Sequence, residues 1–402
     1  MRLTMKERKS VVGVTARRYR AARKKQKNEI LGEFIQTTGY NRCYASYLLR
    51  NHGRVMVLHG QSVRLDATKS RRRPKRGKYY DRDVYTALRR IWVIMDCICG
   101  KRLKPVLGEI ISKLEEHNEA RFRAVVRRKL LRISAATIDR MLAGDRKRFE
   151  LKGRSHTKPG TLLKHQIPIR TFADWNEKRP GFTEIDLVGH ECGNPRGDFI
   201  QTLDATDVCS GWTETEAVIN KAQVHVFAGL KAIKARLPFP LLGIDSDNGS
   251  EFINNQLYWF CCENKITFTR GRSSRKNDNC YVEQKNYSVV RRAVGYARYD
   301  TDEELATLNA LYRRLRLYTN YFQPVMKLLE RRREGSKVYK KHDEAKTPYA
   351  RLLENPDLEQ PRKEELRREY ATLNPAQLKR EITKLQDKLL AINRRKKRED
   401  FV

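Results

Sequence analysis

From Phe182 onward the apolar residues of this chain change period, and that change limits the folds open to it. Before Phe182 they recur at helical spacing: Ile30, Leu31, Phe34 and Ile35 in "ILGEFIQ", then Val84, Leu88, Ile91, Trp92 and Met95, then Val106, Ile110, Ile111 and Leu114. After it come short, β-rich, partly alternating runs, "FTEIDLVGH", "FIQTLDATD", "WTETEAVI" and "LLGIDSD", separated by turn signals such as "GNPRGD" and "CSGW". "KAQVHVFAGLKAIKARL" reads as a helix between the third and fourth runs. After "DNGS" the pattern predicts a helix to about Lys265, a strand "ITFT", a polar loop "RGRSSRKND" and a helix from about Asn279. Hairpin-linked strands followed by alternating helices and strands predict a mixed α/β sheet. The expected fold class is therefore multidomain: an all-α N-terminal region, a mixed-sheet α/β core and a helical, basic C-terminal region.

Within residues 15–52, "TTGY" supplies a turn glycine and "NRCYASYLLRN" resumes a helix with Ala45, Leu48 and Leu49 inward. This predicts a helix-turn-helix that offers Asn41 and Arg42 to a DNA groove. Residues 82–145 repeat the rhythm in "FRAVVRRKLLRIS" and "AATIDRMLAG", with Ser134 as an N-cap. Between these units "KSRRRPKRGK" should not pack; it reads as an extended arm or connector whose Arg71, Arg72, Arg73, Lys75 and Arg76 follow a minor groove. In the tail, Asn374 is placed as N-cap with Pro375 at the first helical position and Gln377 completing a capping box. Leu378, Ile382, Leu385, Leu389 and Ile392 then form a short heptad seam, suited to a packing helix or a subunit contact. The divisions expected are 1–68, an N-terminal helix-turn-helix unit; 69–81, a basic linker; 82–150, a second helical unit; 151–174, another basic linker; 175–300, the core; and 301–402, the helical C-terminal region.

The 402 residues carry a formal charge of +37, unevenly spread. Residues 1–150 hold 39 Lys and Arg against 14 Asp and Glu, whereas residues 171–250 reverse sign with 7 against 12. A basic chain with one acidic island suggests a polyanion held by the flanks and metal ions held in the island. Nucleic acid is the expected partner, double-stranded DNA where the helix-turn-helix reading applies. No apolar run is long enough to span a bilayer, and "MRLTMKERKSVVGVTARRYR" has no apolar signal region. Eight cysteines without a CxxC pair suit a reducing compartment, and the histidines offer no zinc spacing. The expected location is cytoplasmic and nucleoid-associated, with no membrane partner.

Asp186 ends the run "FTEID", Asp247 ends "LLGIDSD", and Glu283 lies on the helix "DNCYVEQKNYSVV". A mixed sheet can bring these together, and three carboxylates around one point can hold two divalent cations about 3.5–4 Å apart. Oxygen ligands suit Mg²⁺ or Mn²⁺. Alternation puts Asp245 on the same face as Asp247, and Glu251 is expected in the first turn of the next helix. Asp245 therefore competes with Asp247; spacing favours Asp247 and leaves Asp245 as a supporting or surface group. Asn279, one helical turn before Glu283, is placed to meet substrate or metal-bound water, or else solvent. Lys285, Arg291 and Arg292 are expected to meet DNA phosphates. His190 is not needed as a general base if two metals activate the nucleophile.

The stretches "TEIDLVGH", "IDSDNGSEF" and "NDNCYVEQKNYSVVR", with 35 residues between Asp247 and Glu283, resemble the DDE transposase and retroviral-type integrase family. "KTPYARLL" is similar to the segment that follows the core in bacterial insertion-sequence members. The resemblance covers roughly residues 170–355; Cys280 departs from it, standing where Gly or Ala is commoner. It implies an RNase H-like catalytic core and Asp186, Asp247 and Glu283 as a catalytic, metal-binding triad. It also implies a transposase that hydrolyses a phosphodiester, transfers the freed strand to target DNA, and works as a homodimer or larger homo-oligomer. An RNase H-like nuclease without strand transfer and a domesticated, DNA-binding regulator are the competing readings.

Overall fold

The computed structural model describes residues 3–58, 61–64, 79–146, 177–247, 249–271 and 279–399. The linker expected at 151–174 lies outside the described residues, as does 69–78 with Arg71, Arg72, Arg73, Lys75 and Arg76. The chain forms two compact units, Met1–Tyr79 and Tyr80–Val402.

The first unit holds helices α1 (Met5–Ala21), α2 (Lys24–Thr38) and α3 (Arg42–Asn51), then a hairpin of β1 (Val55–Leu58) and β2 (Gln61–Arg64). Thr4 and Glu7 close a capping box at the start of α1. Gly39 ends α2 at φ 68°, a backbone position that costs glycine nothing. The Asn41 side chain then accepts from Cys43 N at 2.9 Å and starts α3. Val12, Ala16, Leu31, Phe34, Ala45 and Leu49 form the core of this unit. The helix, glycine turn and helix read from the sequence are present. Asn41's side-chain oxygen is engaged in the cap, while exposed Arg42 donates to Asn28 Oδ1 at 3.3 Å.

The second unit begins with α4 (Arg82–Ile94), α5 (Gly100–Glu116), α6 (Ala124–Arg132) and α7 (Ala135–Arg146). Ser134 caps α7, accepting from Thr137 N at 3.2 Å. Three strands follow, β3 (Phe182–Gly189), β4 (Gln201–Asp207) and β5 (Thr213–Val218), then α8 (Gln223–Arg236), β6 (Gly243–Ser246), α9 (Asn255–Glu263) and β7 (Thr267–Arg270). Helix α10 (Cys280–Lys285) runs into a π-helical turn, Asn286–Arg291, and α11 (Arg292–Val294). The chain continues as α12 (Asp302–Phe322), a hairpin of β8 (Leu328–Glu334) and β9 (Lys337–His342), α13 (Pro348–Glu354), α14 (Gln360–Thr372) and α15 (Pro375–Glu399).

The five-stranded sheet has the order β5-β4-β3-β6-β7. β3 pairs antiparallel with β4 and β4 with β5, while β3, β6 and β7 run parallel, so the expected mixed sheet is present. Ile185, Leu203, Ala205 and Ile244 face α8 and α9, packing with Val226, Leu230, Ile233 and Leu257. The opposite face lies beneath α10, the π-helical turn and α12.

The sequence predicts a separate helical unit at 82–150. Instead, Leu88, Trp92, Leu103 and Ile138 share one hydrophobic cluster with Val188, Leu311, Tyr318 and Leu389. Polar ties follow the same path: Lys113 Nζ donates to Ala371 O at 3.0 Å, and Arg102 Nε to Pro324 O at 2.5 Å. The heptad seam is used within the chain. Leu378, Ile382, Leu389 and Ile392 are buried, and α15 lies along α12. A 4,3 stripe serves an intramolecular helix pair as well as a coiled coil, so the pattern alone could not choose between them.

Candidate active site

Strand alternation builds the site. Because Ile185 and Leu187 point to α8 and α9, Glu184, Asp186 and Val188 point to the face under α10. Antiparallel register sets Asp204 opposite Asp186, and parallel register sets Asp245 beside Glu184. Asp247 lies just past the end of β6, where its Oδ1 accepts from Gly249 N at 2.8 Å. Glu283 comes down from α10 near enough to add its charge to those of Asp186 and Glu184. Asp186 is half-buried and feels the charges of both Asp247 and Glu283, which are exposed.

The surrounding bonds show what aims them. Glu184 Oε2 accepts from Tyr281 N at 2.8 Å and Val282 N at 2.9 Å, fixing the start of the helix that carries Glu283. Asn286 Nδ2 donates to Asp186 Oδ2 at 2.7 Å, and Leu187 N donates to Asp186 Oδ1 at 2.8 Å. Asn279 is buried at the N-cap of α10. With its amide turned to suit its neighbours, it donates to Asp245 Oδ2 at 3.1 Å and accepts from Asp247 N at 3.0 Å. Asp245 also accepts from the Thr269 hydroxyl, so it is fully buried beside Asp247 as part of the support.

Charge repulsion and burial act together here. Burial, then the neighbouring Asp247, hold the Asp186 carboxyl up to about 7, although Asp186 keeps some access to solvent. Burial and Asp245 push Glu184 well above the usual carboxylate range. Asp204 is raised by burial against the opposing charge of Lys285, and Asp247 is raised by burial. Glu184 Oε1 and Asp204 Oδ2 are buried with no hydrogen-bond partner in the structure. An all-oxygen donor set whose members raise one another fits a hard divalent cation. The side chains are not drawn into a closed cage: among the described residues no group of three or more His, Cys, Asp or Glu is placed to hold a metal ion.

Two expected phosphate contacts, Lys285 and Arg291, are corrected by their burial, and a third residue, Arg292, is exposed. Lys285 is buried, its pKa lowered to about 8 by burial and then by the charge of Arg102. Arg291 is buried and donates to Gly189 O at 2.8 Å. Arg292 is ion-paired to Asp96 at 2.8 Å. Lys285 and Arg291 lie on the inner side of the α10–α11 segment, Arg291 at the end of a π-helical turn that shifts the helical period, while Arg292 is exposed. Glu251 precedes α9, whose N-cap is Asn254, rather than occupying its first turn. Sequence reasoning missed Glu184, Asp204 and Asn286. Alternation from Asp186 would have found Glu184, and the hairpin register would have found Asp204.

His190 is fully buried, with Nε2 2.7 Å from Thr202 Oγ1, which is 2.6 Å from the Tyr312 hydroxyl. Burial, with Arg291 adding, pushes its pKa down to about 3. An unfolded histidine titrates near about 6.5, so between these values the unfolded chain binds the extra proton. The stability this neutral histidine gives is complete above about pH 6.5 and drains as pH falls toward 3. His190→Gln is expected to shrink the loss of unfolding free energy between pH 6.5 and 4, read from urea titrations, by up to about 1.4 kcal/mol per pH unit. An unchanged profile would mean that His190 is protonated in the folded chain.

No protein-family model matches the chain. The uncharacterized protein y4rM of Sinorhizobium fredii is 37% identical over 351 residues, covering 87% of this chain and 96% of that protein. Among solved structures, the catalytic core domain of BIV integrase is 18% identical, covers 42% of this chain and 91% of its own, and superposes with a TM-score of 0.29. The HTLV-2 integrase catalytic core domain in complex with magnesium, in its dimeric form, is 14% identical, covers 36% and 90%, and gives 0.28.

Proposed function

From a chain that belongs to the family of the Sinorhizobium fredii protein y4rM, we propose a DNA transposase of the DDE type, one that cuts element ends and joins them to target DNA. The observation that carries this is the nearness of the half-buried Asp186 carboxyl to the charges of Asp247 and Glu283 on the α10 side of the sheet, with 35 residues between the last two. The strand order β5-β4-β3-β6-β7 with α10 across it is the frame an RNase H-like core needs. Asp186, Asp247 and Glu283 would hold divalent cations, Mg²⁺ or Mn²⁺. Such ions, when bound, neutralise the attacking and leaving oxygens of an in-line phosphoryl displacement.

The chain's own residues do the rest by positioning. Glu184 holds the start of α10, Asn279 ties that start to Asp245 and Asp247, and Asn286 orients Asp186. The basic flanks hold the duplex, and the α2–α3 pair with the arm at 69–78 reads the element end. Joining two ends in one event needs two copies, so the working form is a homodimer or larger assembly in the bacterial nucleoid. No described helix is long and apolar enough to cross a membrane.

Supercoiled plasmid carrying the gene's own flanks tests this. Purified protein should nick it in Mg²⁺ or Mn²⁺ and not in EDTA, and then yield joined products. Nicking in EDTA would overturn the reading. Nicking that never leads to joining would replace it with a nuclease, and tight binding without nicking with a DNA-binding regulator.

A further inference from the structure

The β8–β9 hairpin leaves the body of the second unit between α12 and α13, and every residue of it after Leu328 is exposed. Its base is clamped. Lys327 N donates to Asp343 Oδ1 at 2.6 Å, Asp343 N donates back to Lys327 O at 2.9 Å, and Lys327 Nζ donates to Val208 O at 2.7 Å. Arg351 adds an ion pair to Asp343 at 2.7 Å. A two-stranded ribbon that buries neither face gains little from burial, so its chemistry lies in what it presents.

What it presents is one-sided. Residues 328–342 hold six Lys and Arg against two Glu. Register pairs Arg331 with Lys340 and Arg333 with Val338, which places Arg331, Arg333 and Lys340 on one face without a carboxylate. The other face carries both glutamates: Glu330 opposite Lys341, and Glu334 opposite Lys337 and ion-paired to Arg332 at 2.7 Å. Arg332 also lies over the Tyr339 ring there. Lysines that merely blunt a free strand edge would not need the acids sorted to one side.

We propose that the Arg331, Arg333 and Lys340 face is a docking surface for the phosphate backbone of double-stranded DNA, engaged as a ribbon laid along a groove. A duplex groove admits a two-stranded ribbon, and Arg331 and Arg333, roughly 7 Å apart along one strand, can each meet a phosphate. A second copy of the chain would bring the same cationic face and be repelled. The inference rests on DNA as substrate, and it adds an anchor distinct from the carboxylate cluster.

Two full-length triple variants test it, Arg331→Ser/Arg333→Ser/Lys340→Ser and, for the opposite face, Arg332→Ser/Lys337→Ser/Lys341→Ser. Binding to a 40-base-pair duplex is measured across KCl concentrations, with thermal melting to confirm folding. The first variant should lower the slope of log affinity against log salt by about two to three units, since each lost phosphate contact removes about 0.9. The second should change it by less than about one unit. Equal effects on both faces, no effect of either, an effect confined to an RNA duplex, or a change only in self-association by sedimentation would each overturn the proposal. Plasmid nicking assayed in parallel separates the failures. A slope change without any nicking keeps the ribbon and removes the transposase reading, whereas nicking with unchanged slopes does the reverse.

Discussion

Glu283→Gln should abolish metal-dependent nicking, lowering its rate by about 10³-fold or more. Metal ions that clamp an in-line displacement supply several kcal/mol, and about 4 kcal/mol is a 10³-fold change in rate. Glutamine keeps the shape of the side chain but loses the charge that would pull a divalent cation toward Asp186 and Asp247. The fold should survive, because the start of α10 is fixed by Glu184 through the Tyr281 and Val282 amides. DNA affinity in EDTA should be unchanged within about twofold, because the variant removes no cation. A quenched-flow or gel assay of plasmid nicking in Mn²⁺, with a urea melt of both proteins, reads this directly. Nicking that persists at the wild-type rate would remove Glu283 from the site and end the three-carboxylate reading.

Asp186 and Asp247 were singled out in the sequence because each closes a short run, although β3 continues past Asp186 to Gly189, and Glu283 was singled out by a spacing that the family resemblance supplies. Alternation decides which way a strand residue points, and in β3 it sets Asp186 with Glu184 and Val188 opposite Ile185 and Leu187. The mixed sheet was legible for the same reason, in the change of period at Phe182. Three kinds of information were not local. The pairing of Asp204 with Asp186 depends on the register of β3 on β4, which no single run contains. Arg291 is buried at the end of the π-helical turn, where a pattern read at normal helical period loses its phase. The merging of α4–α7 with α12 and α15 depends on contacts far apart in the chain, such as the Tyr318 hydroxyl of α12 to Ile94 O of α4. A stripe of apolar residues states that a helix face is covered, not what covers it.

Glu214→Ala should cost about 3–5 kcal/mol of stability, the largest loss expected from a single polar substitution away from the carboxylate cluster. The Glu214 side chain is fully buried on the edge strand β5. Its Oε1 accepts from Arg316 Nε of α12 at 2.9 Å and from Trp212 Nε1 at 2.9 Å. Its Oε2 accepts from Arg236 Nε, at the end of α8, at 3.2 Å. One carboxylate thus ties together helices from both faces of the sheet. The net worth of such a pair is small, because desolvating three charged groups offsets most of their attraction. Removing this anion is different, since it leaves Arg316 with Glu369 at 3.8 Å and Arg236 with Glu216 at 2.8 Å as their remaining carboxylates, and a buried indole N–H without its acceptor. The chemical test follows from that asymmetry. Glu214→Leu combined with Arg316→Met should recover much of the stability that Glu214→Ala loses, because an apolar replacement leaves fewer buried charges without a partner. Urea unfolding should show the loss as a lower midpoint at constant slope. A loss under about 1 kcal/mol would show that the two arginines reach water once the carboxylate is gone, and a double variant no better than Glu214→Ala would show that the hydrogen bonds, not the relief of buried charge, hold α8 and α12 to the sheet.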